Sequence, residues 1–235
     1  MKGHEFEPGK FEPEILYEDN HCLAVLKPAR MAVAGDESGD FNLLDWAKQY
    51  LKEKHQKPGN VFVGLVHRLD RPVSGIVLLA RTSKGAARLS EQFRARRVDK
   101  KYLAFVEGVP KKDRGSCRSW LLKDEQQNLV SVVREGTEGA KEARLTWSIE
   151  TRGATKAILK VELETGRSHQ IRVQLAEMGH PICGDVKYGA KPRMQGAIAL
   201  HASELVFEHP TTREEIRLSS PAPESWERLL FEDRP

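Results

Sequence analysis

The chain has 235 residues, 39% hydrophobic and 31% charged, with 38 Lys and Arg against 34 Asp and Glu and a formal net charge of +4. This composition supports a sizeable core and excludes an intrinsically disordered chain, while the small basic excess, with a pI of about 8.9, tilts toward an anionic partner. Cys22, Cys117 and Cys183 are too few and too scattered for a disulfide framework or a zinc ribbon. No apolar run is long enough to cross a bilayer, and Met1–Glu7 lacks a hydrophobic signal core, so a soluble cytoplasmic protein is expected.

In chain order, residues 1–13 carry Gly3, Pro8, Gly9 and Pro13 among charges and read as an irregular arm. Cys22 to Leu26 reads as a buried strand closed by Lys27-Pro28, and a loop rich in Gly and Asp follows. Leu43, Leu44, Ala47, Tyr50 and Leu51 recur at helical spacing, and Pro58-Gly59-Asn60 ends that helix before a strand over Val61 to Val66. Gly75 to Ala80 is a second apolar run. Ser83 then caps a helix whose Ala86, Leu89 and Phe93 face inward. Tyr102 to Val106 is the next strand, and the polar stretch after Gly108 is weakly patterned. Ala143 to Ile149 and Ala157 to Leu163 alternate as a hairpin with one wet face. Thr165-Gly166-Arg167-Ser168 opens a helix with Ile171, Leu175 and Met178 on its apolar stripe, stopped by Gly179 and Pro181. Strands over Ala197 to Phe207 and Glu215 to Leu218 complete the pattern.

Strands and helices mix without a βαβ rhythm, which predicts an α+β fold around a mixed, largely antiparallel central sheet flanked by helices. No phosphate-binding glycine loop is present. His67, His169, His180 and His201 lack the spacing of a metal-ligand pair, so no metal is expected.

The most informative segment is Val66-His67-Arg68-Leu69-Asp70-Arg71-Pro72-Val73-Ser74-Gly75, a polar turn between two apolar runs. A carboxylate flanked by Arg68 and Arg71, beside a Pro and a Gly, suits an ionised Asp aimed into a cleft as nucleophile or base. A surface turn with a structural ion pair is the alternative.

Read together with Lys100-Lys101-Tyr102 through Gly108, and with Thr165-Gly166-Arg167-Ser168-His169-Gln170-Ile171-Arg172 through Gly179-His180-Pro181-Ile182-Cys183-Gly184-Asp185, this turn closely resembles the RluA-type pseudouridine synthases. The resemblance runs from about Ile15 to Pro221. It implies the pseudouridine synthase catalytic fold over residues 14–235 with a central active-site cleft, and action on ribosomal or transfer RNA without a cofactor; a monomer is expected, and, with the sequence opening almost at this domain, no N-terminal S4-type domain of the kind some relatives carry. Asp70 would be the nucleophile, Arg172 its ion-pair partner, and Tyr102 the residue covering the uracil and removing the C5 proton. Arg68 would replace the flipped uridine, and His67, Arg167, His169 and Leu200 would face the substrate. Taken singly, Tyr102 is better explained as a core aromatic with its hydroxyl at the rim and Arg172 as a solvated helix residue; their joint occurrence in three matched motifs is what lifts them. The basic run from Arg88 to Lys101 suits an RNA backbone or a solvated helix face.

Val73 stands where this family usually has Thr, and Arg30 where Gly is commoner; both bear on substrate choice more than on activity. The implied isomerisation breaks a glycosidic bond and rejoins the base through C5, so it needs no redox partner or group donor. The target base must leave its stack. A catalytically silent RNA-binding or remodelling protein of the same fold is the competing reading, and the intact catalytic positions speak against it.

Overall fold

The computed structural model describes residues 12–231 apart from 37, 193 and 195; the irregular arm expected over 1–13 lies almost wholly outside the described residues. In chain order the elements are β1 (Glu14–Glu18), β2 (Cys22–Lys27), α1 (Leu43–Lys54), β3 (Gly64–Leu65), β4 (Ser74–Ala80), α2 (Ser83–Arg94), β5 (Asp99–Glu107), β6 (Arg114–Asp124), β7 (Leu129–Val133), β8 (Lys141–Arg152), β9 (Lys156–Leu163), α3 (Gln170–Glu177), a 3₁₀ turn (Val186–Tyr188), β10 (Leu200–Glu208), β11 (Glu215–Ser219) and α4 (Ser225–Phe231). They group into two compact units, one of residues 12–98 with 204–220 and the other of residues 99–203 with 221–231.

In the first unit β2 pairs antiparallel with β1 and β4, and β4 also pairs with β3. Strands β2 and β4 are buried on both faces, which is why they read as continuous apolar runs rather than as alternations. Their residues Cys22, Ala24, Ile76, Leu78 and Ala80 pack with Leu89 of α2 and with Leu205, Phe207 and Leu218 from the returning segment. Helix α1 is capped by Asn42, whose side chain accepts from the Asp45 amide, and α2 by Thr82, whose side chain accepts from the Gly85 amide; Ser83, expected as the cap, is the first helical residue instead. The strand expected over Val61 to Val66 shrinks to two residues, and Phe62 and Leu65 remain exposed.

Asp19, Cys22 and His209 come within 4.8 Å of one another in this unit. The donors are committed. Asp19 accepts the His21 and Cys22 amides, its second oxygen takes His209 Nε2 at 2.7 Å, and His209 Nδ1 accepts the Thr211 and Thr212 amides. Burial pushes the Cys22 thiol up to about 12, which disfavours the thiolate a metal would need. The cluster is a latch that ties the β10–β11 turn to the β1–β2 turn.

The second unit is an antiparallel sheet in the order β5-β9-β8-β6-β7. The weakly patterned stretch after Gly108 is the β6–β7 hairpin. Gly115 on β6 faces Trp147 on β8, and a Cβ there would lie 2.8 Å from the indole. Helix α3 packs Val173 against Leu121, Val130 and Ala143 on the inner face. It starts at Gln170 rather than at Thr165, and Gln170 through Leu175 are all buried, so the expected single stripe is replaced by burial around the helix. Trp226 of α4 stacks on Phe105 at 6.2 Å, anchoring a helix that no pattern announced.

Candidate active site

The nucleophile candidate lies on the chain between β3 and β4. Leu69 and Val73 are buried on either side of it, and the Val73 amide donates to the Asp70 carbonyl at 3.1 Å, closing a tight turn. Two buried apolar anchors around one turn leave Asp70 half-buried and Arg68 exposed. Val73 is 2% exposed, so it fills this position with apolar packing.

The charges around this turn differ from the expected pair of flanking arginines. Arg71 turns its guanidinium to Asp36 at 2.8 and 2.9 Å, Asp40 at 2.6 Å and Ser38 at 2.7 Å, which commits it to the preceding loop. Ser38 and Arg71 together hold the Asp36 carboxyl down at about 2. A buried amine whose charge senses Asp70 is that of Lys27. Its ammonium is fully buried and donates to the carbonyls of Met31 at 2.8 Å, Pro28 at 2.9 Å and Arg71 at 3.3 Å. Burial pulls its pKa down to about 7, against the opposing attraction of the Asp70 carboxylate. The Arg30 amide also donates to the Arg71 carbonyl at 2.7 Å. The turn is therefore held through its backbone by one ammonium and one amide. His67, expected to face substrate, accepts the Leu78 amide on Nε2 at 2.9 Å and stacks on Phe93 at 4.5 Å, tasks that brace β4 and α2.

In the second unit Tyr102 sits on β5 opposite Val161 and is 9% exposed. Arg172 of α3 is buried, which sets aside the solvated-helix alternative. Its Nε and Nη2 reach the two oxygens of Asp185 at 2.7 and 2.9 Å, and its guanidinium carbon lies 5.1 Å from the centre of the Tyr188 ring. His169 is the residue before α3, in the left-handed region at φ 49°, and its Nδ1 is hydrogen-bonded to the Tyr188 hydroxyl at 2.8 Å. Arg167 gives Nε to the Glu142 carbonyl, and its amide donates to Gln170 Oε1. Gln170 in turn accepts from Thr165 and donates to the Arg144 carbonyl, so the Thr165–Gln170 segment is sewn to β8. Leu200 is buried at the start of β10.

Three residues of this geometry were absent from the sequence-derived site. Lys27 read as the end of a strand, although a Lys inside an apolar run and before Pro28 is itself a signal of a paired buried charge. Asp185 lay within the resembling segment without a role, and Tyr188 stood outside it.

A family model described as RNA pseudouridylate synthase matches residues 21–177, which include the Asp70 turn, Tyr102 and Arg172. The chain belongs to this family. Ribosomal large subunit pseudouridine synthase C of Yersinia pestis is 36% identical over 214 residues, covering 88% of this chain and 65% of that protein. The protein of the same name in Escherichia coli K12 is 35% identical over 225 residues, covering 92% and 68%. The chain thus spans about two thirds of the length of these relatives. Among solved structures, Human RNA Pseudouridylate Synthase Domain Containing 4 superposes with a TM-score of 0.76 at 24% identity, covering 91% of this chain and 90% of that one. The α+β pseudouridine synthase fold expected from the sequence is the fold observed.

Proposed function

We propose that this chain isomerises uridine to pseudouridine in ribosomal RNA, with Asp70 as the nucleophile. The observation that carries the assignment is the turn itself: a half-buried carboxylate on a segment pinned by Leu69 and Val73 and by backbone bonds from Lys27 and Arg30. Holding a reacting group in place before substrate arrives is where positioning lowers a barrier.

The chemistry balances without a donor or an oxidant. The bond between uracil N1 and ribose C1′ breaks, the detached base turns, and C5 bonds to C1′; the C5 proton leaves and N1 gains one. The Asp70 carboxylate bonds transiently to the nucleoside and is released as the bond between C5 and C1′ is completed, Tyr102 covers the ring and removes the C5 proton, and Arg172 is the third catalytic residue. Exposed Arg68 fills the place of the extruded base, whose unstacking costs a few kcal/mol. His67, Arg167, His169 and Leu200 complete the substrate-binding set. The names of the relatives support ribosomal RNA over transfer RNA. A monomer acting in the cytoplasm without a cofactor belongs to the same reading; among the described residues no helix is long and apolar enough to cross a membrane.

The decisive experiment is tritium release from RNA carrying 5-tritiated uridine. Asp70→Asn should fold, bind RNA and release none. Release at the rate of the unaltered protein would overturn the nucleophile assignment.

A further inference from the structure

The contacts around Arg172 form a frame. Asp185 accepts two parallel hydrogen bonds from one edge of the guanidinium, which fixes both the plane of the group and its rotation within that plane. The Tyr188 ring faces the guanidinium carbon at 5.1 Å and blocks tilting out of it. Tyr188 is itself immobilised, because its hydroxyl accepts the Val130 amide of β7 at 3.0 Å and bonds His169 Nδ1 at 2.8 Å. Asp185 and Tyr188 come from one short turn, closed by the Tyr188 amide on the Asp185 carbonyl at 3.0 Å and ended by Gly189 at φ 90°. The Arg172 and Asp185 side chains are 6% and 1% exposed. A buried ion pair is weak as a source of stability, since desolvation of both charges offsets most of their attraction. Its geometry is what it supplies.

We propose that Asp185 and Tyr188 are positioning residues that act through Arg172, fixing the plane and direction its guanidinium must hold for the reaction. This rests on the reading of Arg172 as a catalytic residue. Neither residue touches the substrate in this proposal.

The test is single-turnover kinetics with thermal melting and RNA-binding titrations for Asp185→Asn, Tyr188→Leu, Tyr188→Phe, the Asp185→Asn/Tyr188→Leu double variant and Arg172→Lys. Asp185→Asn and Tyr188→Leu should each lower turnover about ten- to a hundredfold while RNA affinity changes less than threefold, roughly the effect of misplacing a reacting group by an ångström or less. Tyr188→Phe keeps the ring and should recover most of the loss. The double variant should be little slower than the slower single one, because both changes release the same guanidinium. Losses that multiply, or lowered melting temperatures with turnover unchanged, overturn the proposal. If Asp185→Asn does not fold, the Tyr188 pair carries the test: equal rates for Leu and Phe overturn it. Arg172→Lys separates the two levels. Full turnover in that variant removes the role of Arg172, whereas its inactivity beside a fully active Tyr188→Leu refutes positioning alone.

Discussion

At the scale of single residues, the clearest energetic statement concerns Glu18 at the end of β1. One of its oxygens accepts from Tyr50 and Lys54, both at 2.8 Å, and the other meets His55 at 2.8 Å and Arg81 at 2.9 Å. Burial works to raise its pKa, but hydrogen bonds from Lys54, His55 and Tyr50 outweigh it and bring the group from 4.5 to about 2. A carboxyl lowered by folding stabilises the native state above the unfolded value, and the contribution disappears as the pH falls from about 4.5 toward 2. Glu18→Gln should therefore cost about 2 kcal/mol at pH 7 and flatten the loss of stability between those two pH values. Urea unfolding over a pH series checks this, and an unchanged acid slope would refute it. At the residue scale the sequence named candidates more readily than it named their electrostatic partners. Asp70, Tyr102 and Arg172 stand out as candidates because their types stand in ordered motifs. The partners of the charges do not: Arg71 is next to Asp70 in the chain yet pairs with Asp36 and Asp40, and Lys27 reaches the Arg71 carbonyl from 44 positions away. Neighbours in sequence do not determine which lone pairs a guanidinium meets.

At the scale of elements, the basic character of α2 divides between two tasks. Arg88 donates to the Pro210 carbonyl at 2.6 Å and belongs to the packing of its own unit. Arg94, Arg96 and Arg97 are exposed at and beyond the last turn, and Arg96 takes φ 57°, ending the helix in the left-handed region. Such a cluster suits phosphate. Replacing these three together by Ala should weaken target and non-target RNA alike and flatten the salt dependence by about 0.7 to 0.9 for every phosphate no longer neutralised. Filter binding at several salt concentrations reads this, and an unchanged slope would make the cluster a solvated face only. Arg68→Ala should instead keep affinity and lose turnover. Elements with strong periodicity, α1 and the β8–β9 hairpin, were legible nearly to their ends. Strand β6 was not, because its inward positions before Leu121 are Gly115, Cys117 and Ser119, whose small side chains blur the apolar alternation, and a Cβ at Gly115 would press on the Trp147 ring. The start of α3 was misplaced because the Thr165–His169 segment is held to β8 by side chains instead of by helical bonds.

At the scale of the whole molecule, the catalytic domain expected from residue 14 onward groups into two units whose segments interleave along the sequence. Only the last crossing carries a linker-like stretch, Ser219-Ser220-Pro221-Ala222-Pro223; the other two fall at the start of β5 and inside β10, where the composition does not change. The first unit depends on its returning segment: Leu205, Phe207 and Leu218 complete its core, and Gln92 exchanges two hydrogen bonds with the Glu208 backbone. A fragment of residues 12–98 should consequently lack a cooperative melt, and a sharp thermal transition by near-ultraviolet dichroism would show the returning segment to be dispensable.

Lys27 gives that unit a built-in clock. An amine with a lowered pKa is a good nucleophile toward acylating reagents, yet this one has no accessible surface and three carbonyls around it. It can be modified only when the Arg71 turn lets go of the Pro28–Met31 loop. The rate at which Lys27 is acylated, followed by mass spectrometry, would thus report how often the segment carrying Asp70 opens.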